Sequence, residues 1–141
     1  MSILKGRVLS IDYGIKRVGI ALSDPLQIIA SPLVTLQNSP NLLAEVVKLA
    51  ESNEVVEIII GLPLKEDGTP SEIHHLVLDF IGLLKEKVRI PVITVDERYS
   101  SSVAWSKIIN SVTRKSKRRD KSLMDMMSAQ SILEDYLSQK K

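Results

Sequence analysis

Three acidic residues at the ends of different predicted elements define the chemistry open to this chain. Asp12 stands inside the apolar run Leu9-Ser10-Ile11-Asp12-Tyr13-Gly14. A carboxylate in such a place is costly unless it is paired or holds a cation. Glu97, with Asp96 beside it, directly follows the apolar segment Pro91 to Val95. Asp125 lies near the start of the last helical pattern, bordering its packing stripe. Carboxylates converging from separate elements repel one another and their pKa values rise. Divalent cations relieve that repulsion. Two ions roughly 3.5–4 Å apart can activate a water and stabilise the leaving oxygen in phosphodiester cleavage. The chain has no cysteine and only two histidines, His74 and His75. Thiolate sites and disulfides are therefore excluded, and an oxygen-held ion such as magnesium, manganese or calcium is favoured.

Each acid also has a structural reading. Asp12 before a Tyr-Gly turn can accept backbone hydrogen bonds. Glu97 can be an ordinary exposed acid after a strand, and only one of Asp96 and Glu97 should face Asp12, because strand side chains alternate. Asp125 can be a first-turn acid favoured by the helix dipole. The catalytic reading needs all three together.

A basic stretch precedes Asp125. Arg114, Lys115, Lys117, Arg118, Arg119 and Lys121 are interrupted only by Ser116 and Asp120. Such clusters neutralise phosphates with salt-dependent, largely sequence-independent affinity; the plain alternative is a solvated loop. Lys16 and Arg17, on the turn after Asp12, can add phosphate contacts at the same edge. Arg98 can do so too, or pair with a neighbouring acid. Gly61 and Gly68 flank a loop that lets nucleic acid approach the backbone. The spacing is not that of a Walker loop. Aromatic residues are 4% of the chain, which gives no base-stacking array, and Trp105 reads as core.

The elements that must position these residues follow from periodicity. Arg7 to Tyr13 and Arg17 to Ser23 read as strands joined by a tight turn. Ile28 to Leu36 holds a third, with Pro32 demoting part of it to an edge or bulge. Short connections make these three an antiparallel meander. Ser39-Pro40 reads as a helix start. Leu42, Leu43, Val46, Val47 and Ala50 supply the helical period. Val55 to Ile60 is a short β-branched run suited to a buried parallel strand. Ser71 can cap a helix to about Lys87, Pro91 to Val95 is a further strand, and Ser100 or Ser101 can open a helix to about Ile109. The basic stretch reads as a loop, and the last helix runs from about Ser122 to Ser138. The order predicts an α/β fold with a mixed five-stranded sheet flanked by helices.

The 141 residues are read as a single domain spanning residues 1–141, long enough for a real core. Hydrophobic residues at 44% and charged residues at 26% suit a soluble globular protein. No apolar run is long enough to span a bilayer and no apolar leader is evident, so no membrane partner and a cytoplasmic location are expected.

Asp12-Tyr13-Gly14-Ile15-Lys16-Arg17-Val18-Gly19-Ile20-Ala21, Gly61-Leu62-Pro63, Asp96-Glu97-Arg98 and the helix containing Asp125 occur in the order of the YqgF (RuvX) family. The sequence resembles that family over nearly its whole length. The resemblance implies an RNase H-like, RuvC-related fold with the first strand central. It implies a nuclease dependent on magnesium or manganese, with two ions. Asp12, Glu97 and Asp125 match its acidic positions, and Gly14, Gly61, Pro63, Asp96 and Ser101 are read as supporting ones. RuvC itself has a glutamate on the fourth strand; here Ile60-Gly61-Leu62-Pro63 has no acid, and Glu97 would supply the ligand. Ser100 to Ser102 stand where threonines are frequent, keeping a hydroxyl. Met126 and Met127 stand where small residues are usual. The implied substrate is structured RNA, with maturation of the 5′ end of pre-16S rRNA as the expected function and ribosomal particles as possible partners. Branched DNA, as for a Holliday junction resolvase, and a non-catalytic nucleic-acid-binding module are the alternatives. A monomer or weak homodimer is expected.

Overall fold

The computed structural model describes residues 5–62, 73–96 and 121–140. The strands are β1 (Arg7–Tyr13), β2 (Arg17–Ser23), β3 (Ala30–Gln37), β4 (Val55–Leu62) and β5 (Val92–Asp96). The helices are α1 (Leu42–Ser52), α2 (His74–Lys87) and α3 (Lys121–Lys140). The sheet order is β3-β2-β1-β4-β5, so β1 is central. β1, β2 and β3 pair antiparallel, while β4 and β5 run parallel to β1.

β3 is an edge strand, as Pro32 requires. Its register slips at that residue: Ile20 pairs with Val34, but Ala21 pairs with Pro32. Leu33 is the extra residue of a bulge, which absorbs the missing proline N–H. The helix starts differ modestly from the sequence reading. Ser39 does not cap α1 directly. Its hydroxyl accepts from the Asn41 N–H at 3.2 Å and its carbonyl from the Leu42 N–H at 3.0 Å, forming a turn ahead of the helix. Lys121, read from sequence as loop, is the first residue of α3.

Strand alternation divides the core in two. Leu9, Ile11, Val18, Ile20, Ile58 and Ile60 face α1 and α2, packing on Val46, Val77, Phe80 and Leu84. Tyr13 joins them, its ring 5.3 Å from that of Phe80. Val8, Ala21 and Ile59 face the other way, onto Ala129, Ile132, Leu133 and Leu137 of α3. The middle of β1 is buried on both faces because it is covered on both. Asp12 and Ser10 share the α3 face with Val8.

α3 crosses that face diagonally, and four polar contacts trace its path. Thr35 on β3 donates its hydroxyl to the Ser122 carbonyl. Arg17 on β2 donates to Asp125. The buried Ser10 hydroxyl on β1 donates to the Ala129 carbonyl at 2.9 Å. Tyr136 donates to Glu57 on β4 at 2.8 Å. Burial, and then the Glu57 carboxylate, push the Tyr136 phenol up to about 12, so it stays a donor through neutral pH. Lengths agree with this path. Three strand spacings sideways (about 14 Å) and four residues along a strand (about 13 Å) make a diagonal of about 20 Å. Fourteen helical residues rise about 21 Å. No helix among the described residues is long and apolar enough to cross a membrane.

Ser10 ties the strand carrying Asp12 to the helix carrying Asp125. Ser10→Ala removes a buried hydrogen bond and is expected to lower stability by about 1 kcal/mol. The urea midpoint should fall with an unchanged slope; an unmoved midpoint would show that the bond contributes nothing.

Candidate active site

Asp12 sits near the carboxyl end of the central strand, directly opposite Gly19 on β2. Directly paired residues project to the same face, so Asp12 and Gly19 both address α3. The backbone of α3 comes so close to Gly19 that a Cβ there would lie 1.9 Å from the Asp125 carbonyl oxygen. Only glycine permits that approach. The row across the sheet reads Thr35, Gly19, Asp12. On the β4 side follows Gly61, one residue past Ile60, the partner of Ile11. Asp12 thus has a glycine strand neighbour on each side, which leaves room above it.

Asp125 is held over β2 by an ion pair. Arg17 Nε donates to Asp125 Oδ2 at 2.7 Å, with both side chains partly exposed. Arg17 lies two residues before Gly19 and projects to the same face. The turn that delivers it is tied to the end of β3. Asn38 Nδ2 donates to the Gly14 carbonyl at 2.8 Å, and the Asn38 N–H donates to the Lys16 carbonyl at 2.9 Å. Gly14 is itself required, since a Cβ there would meet the Arg17 carbonyl oxygen at 2.4 Å.

Two of the three predicted acids are therefore brought to one place, on the α3 face around Gly19. Asp96 is the last residue of β5, in register with Leu62. Ile93 and Val95 pack on the α3 side and Val92 on the α1/α2 side, so alternation places Asp96 on the face opposite Asp12. Lys16 is exposed on the β1–β2 turn. Arg17, read from sequence as a phosphate ligand, is engaged by Asp125. Glu97, Arg98, Ser101, Pro63 and the basic residues Arg114, Lys115, Lys117, Arg118 and Arg119 lie outside the described residues, as do Gly68, Trp105 and the helix expected near 101–109. Lys121 is described only as the first residue of α3. Among the described residues no three acids or histidines form a cluster able to hold a metal.

The sequence reading gave Gly19 and Asn38 no role. A glycine in the interior of an apolar strand signals close approach of another backbone, and that signal was present. Asn38 carries no comparable signal, because its contacts depend on where β3 ends.

Known proteins resemble the chain along almost its entire length. A family model described as RuvX, Holliday junction resolvase, matches residues 6–139. A Phocaeicola vulgatus protein named "Putative pre-16S rRNA nuclease" is 40% identical over 136 residues, covering 96% of this chain and 97% of the relative. One of the same name from Flavobacterium johnsoniae is 41% identical over 140 residues, covering 96% and 98%. Among solved structures, Thermus thermophilus RuvC in complex with a Holliday junction substrate superposes with a TM-score of 0.58 at 11% identity, covering 96% of each chain. The Fowlpox virus resolvase bound to Holliday junction DNA gives 0.58 at 13% identity, covering 95% and 98%. At such identities the likeness shows a shared fold.

Gly19→Ala forces the α3 backbone off the sheet at Asp125. A loss of at least about 2 kcal/mol is expected, at or above the usual overpacking cost because the obstacle is backbone. Denaturant unfolding checks this; a variant as stable as the parent would contradict the close approach.

Proposed function

The chain belongs to the RuvX family, and on that footing we propose that it is a divalent-metal-dependent endonuclease that trims the 5′ end of pre-16S rRNA. The observation that carries this reading is the convergence of Asp12 and Asp125 on one face of the sheet around Gly19. Two carboxylates on a partly open face suit magnesium, which binds through one or two carboxylates and keeps waters and substrate phosphates as its other ligands. Asp12 and Asp125 would hold the ion. Glu97 is assigned as the third acid, because it matches an acidic position of the family and alternation takes Asp96 to the face opposite Asp12. When bound, a divalent ion, or a pair of them, would supply Lewis acidity and lower the pKa of a coordinated water.

The remaining work falls to the chain's own groups. Lys16, exposed beside the site, offers a point charge to a backbone phosphate. Arg98 and the basic residues from Arg114 to Lys121, which lead directly into α3, are assigned the same task. Their contacts would fix the register of the substrate over Asp12 without reading bases. Phosphate recognition of this kind makes binding fall steeply with salt. A structured RNA fits it, since A-form helices are recognised through shape and backbone. The relatives named for pre-16S rRNA support RNA as the substrate.

Purified protein with magnesium or manganese is expected to cut a pre-16S 5′ leader. Asp12→Asn should lower that rate at least about a hundredfold, or about 3 kcal/mol of barrier. A four-way DNA junction belongs in the same assay. Cutting of the junction with the leader intact would make the protein a resolvase. Binding of either without cutting would make it a non-catalytic module. Equal cutting by Asp12→Asn would trace the activity to a contaminant.

A further inference from the structure

We propose that Arg17 is a built-in counter-cation for Asp125, with which a divalent ion must compete, so that Arg17 sets the metal affinity of the site. This rests on the reading of Asp12 and Asp125 as metal ligands. It makes Arg17 a positioning residue.

Three observations lead there. First, the Arg17 guanidinium occupies one oxygen of Asp125 directly, Nε to Oδ2 at 2.7 Å. That bond takes one lone pair of the oxygen and sets a positive charge beside the position a divalent ion would take, so the ion must compete with it. Second, the backbones beneath both side chains are fixed. α3 is pressed onto Gly19 at Asp125 itself. Asn38 holds the turn before Arg17 at both Gly14 and Lys16. The pair can therefore open only by rotation of the side chains, not by movement of the helix or the hairpin. Third, neither side chain is locked in the core: 30% of Arg17 and 25% of Asp125 remain exposed. A partly exposed pair is weak, so a doubly charged ion can replace it.

The physical logic is exchange of one cation for another. Asp12 and Asp125 on the same face repel when both are ionised. Arg17 offsets that repulsion in the metal-free protein and gives up the position when a stronger cation arrives. Once released, its guanidinium, on the residue next to Lys16 in the chain, would be free to meet a phosphate with its fork. Metal loading would then prepare a phosphate contact that the metal-free protein holds closed. The cost is affinity, since the metal must compete with a resident charge.

Calorimetric titration with manganese tests this in the full chain, comparing the parent with Arg17→Gln, Arg17→Lys and Asp12→Asn. Arg17→Gln is expected to bind manganese roughly three- to tenfold more tightly, up to about 1.4 kcal/mol. Arg17→Lys, which keeps the charge but loses the fork, should fall between the two. Thermal unfolding gives an independent reading. Arg17→Gln should melt below the parent in chelator, and that deficit should shrink at saturating manganese. A purely structural arginine would leave the same deficit in both conditions. Unchanged or weaker manganese binding by folded Arg17→Gln, with parental binding abolished by Asp12→Asn, overturns the role of Arg17 alone. If Arg17→Gln fails to fold, affinity no tighter than the parent in Arg17→Lys overturns it equally. No saturable manganese binding by parent and Arg17 variants alike overturns the metal site, and this inference with it.

Discussion

The contact between the α3 backbone and Gly19 is the constraint on which the site depends. A helix does not ordinarily lie so close to a sheet, because the strand side chains hold it off. Here one strand position carries no side chain, and the Asp125 carbonyl takes the space a Cβ would fill. Gly19 also faces Asp12 across the β1–β2 ladder. One glycine therefore sets the height of the helix at Asp125 and puts that point of approach beside Asp12. It costs strand stability, since glycine in a strand interior weakens the strand and packs nothing. The apolar pairs on the opposite face of β2, from Val18 and Ile20 into α1 and α2, offset that loss.

Bringing two acids together this way creates an electrostatic demand that the fold meets locally. The chain as a whole carries a formal charge of +2, but a bulk excess spread over the surface does little for two carboxylates gathered on one face of the sheet. What matters is a cation inside the Debye length, about 8 Å at physiological salt. Arg17 is that cation, delivered by a turn whose geometry needs Gly14 and whose anchor is Asn38. The hairpin motif from Asp12 to Gly19 is thus a single device. It supplies an acid, the tight turn, the counter-charge and the gap for the helix, in eight residues.

Much of this was readable in the sequence, and the parts that were not share a cause. The three antiparallel strands, the bulge at Pro32 and the buried β4 follow from alternation, β-branching and proline chemistry, which act over a few residues. That Asp96 would face away from Asp12 follows from period 2 once the packing faces of Ile93 and Val95 are known. Two elements began a few residues from their sequence signals: Ser39 shapes a turn instead of capping α1, and Lys121 is helical. Caps and loop ends are decided by competition among local hydrogen bonds of similar strength. The partnership of Arg17 with Asp125 spans 108 positions. Nothing in either neighbourhood distinguishes a phosphate ligand from an internal counter-charge. Only the register of β2 against α3 does so.

The diagonal course of α3 extends this dependence to the far side of the molecule. Because the helix is stiff, the place of Asp125 is set by the whole line of contacts. The line runs from Thr35 through Ser10 to the Tyr136–Glu57 bond on β4. Leu133 and Leu137 fill the space beneath its later turns. A helix pinned only at Gly19 would pivot there, carrying the Asp125 carboxylate around Asp12. Pinned again about 16 Å away, eleven residues later at Tyr136, it cannot swing without breaking a partly buried hydrogen bond or opening a cavity. The raised phenol of Tyr136 keeps that second pin protonated and donating wherever a nuclease of this kind would work. The geometry around Asp12 is therefore a property of four strands, from edge strand β3 across to β4, joined by one rigid helix, and residues far from the acids take part in holding them.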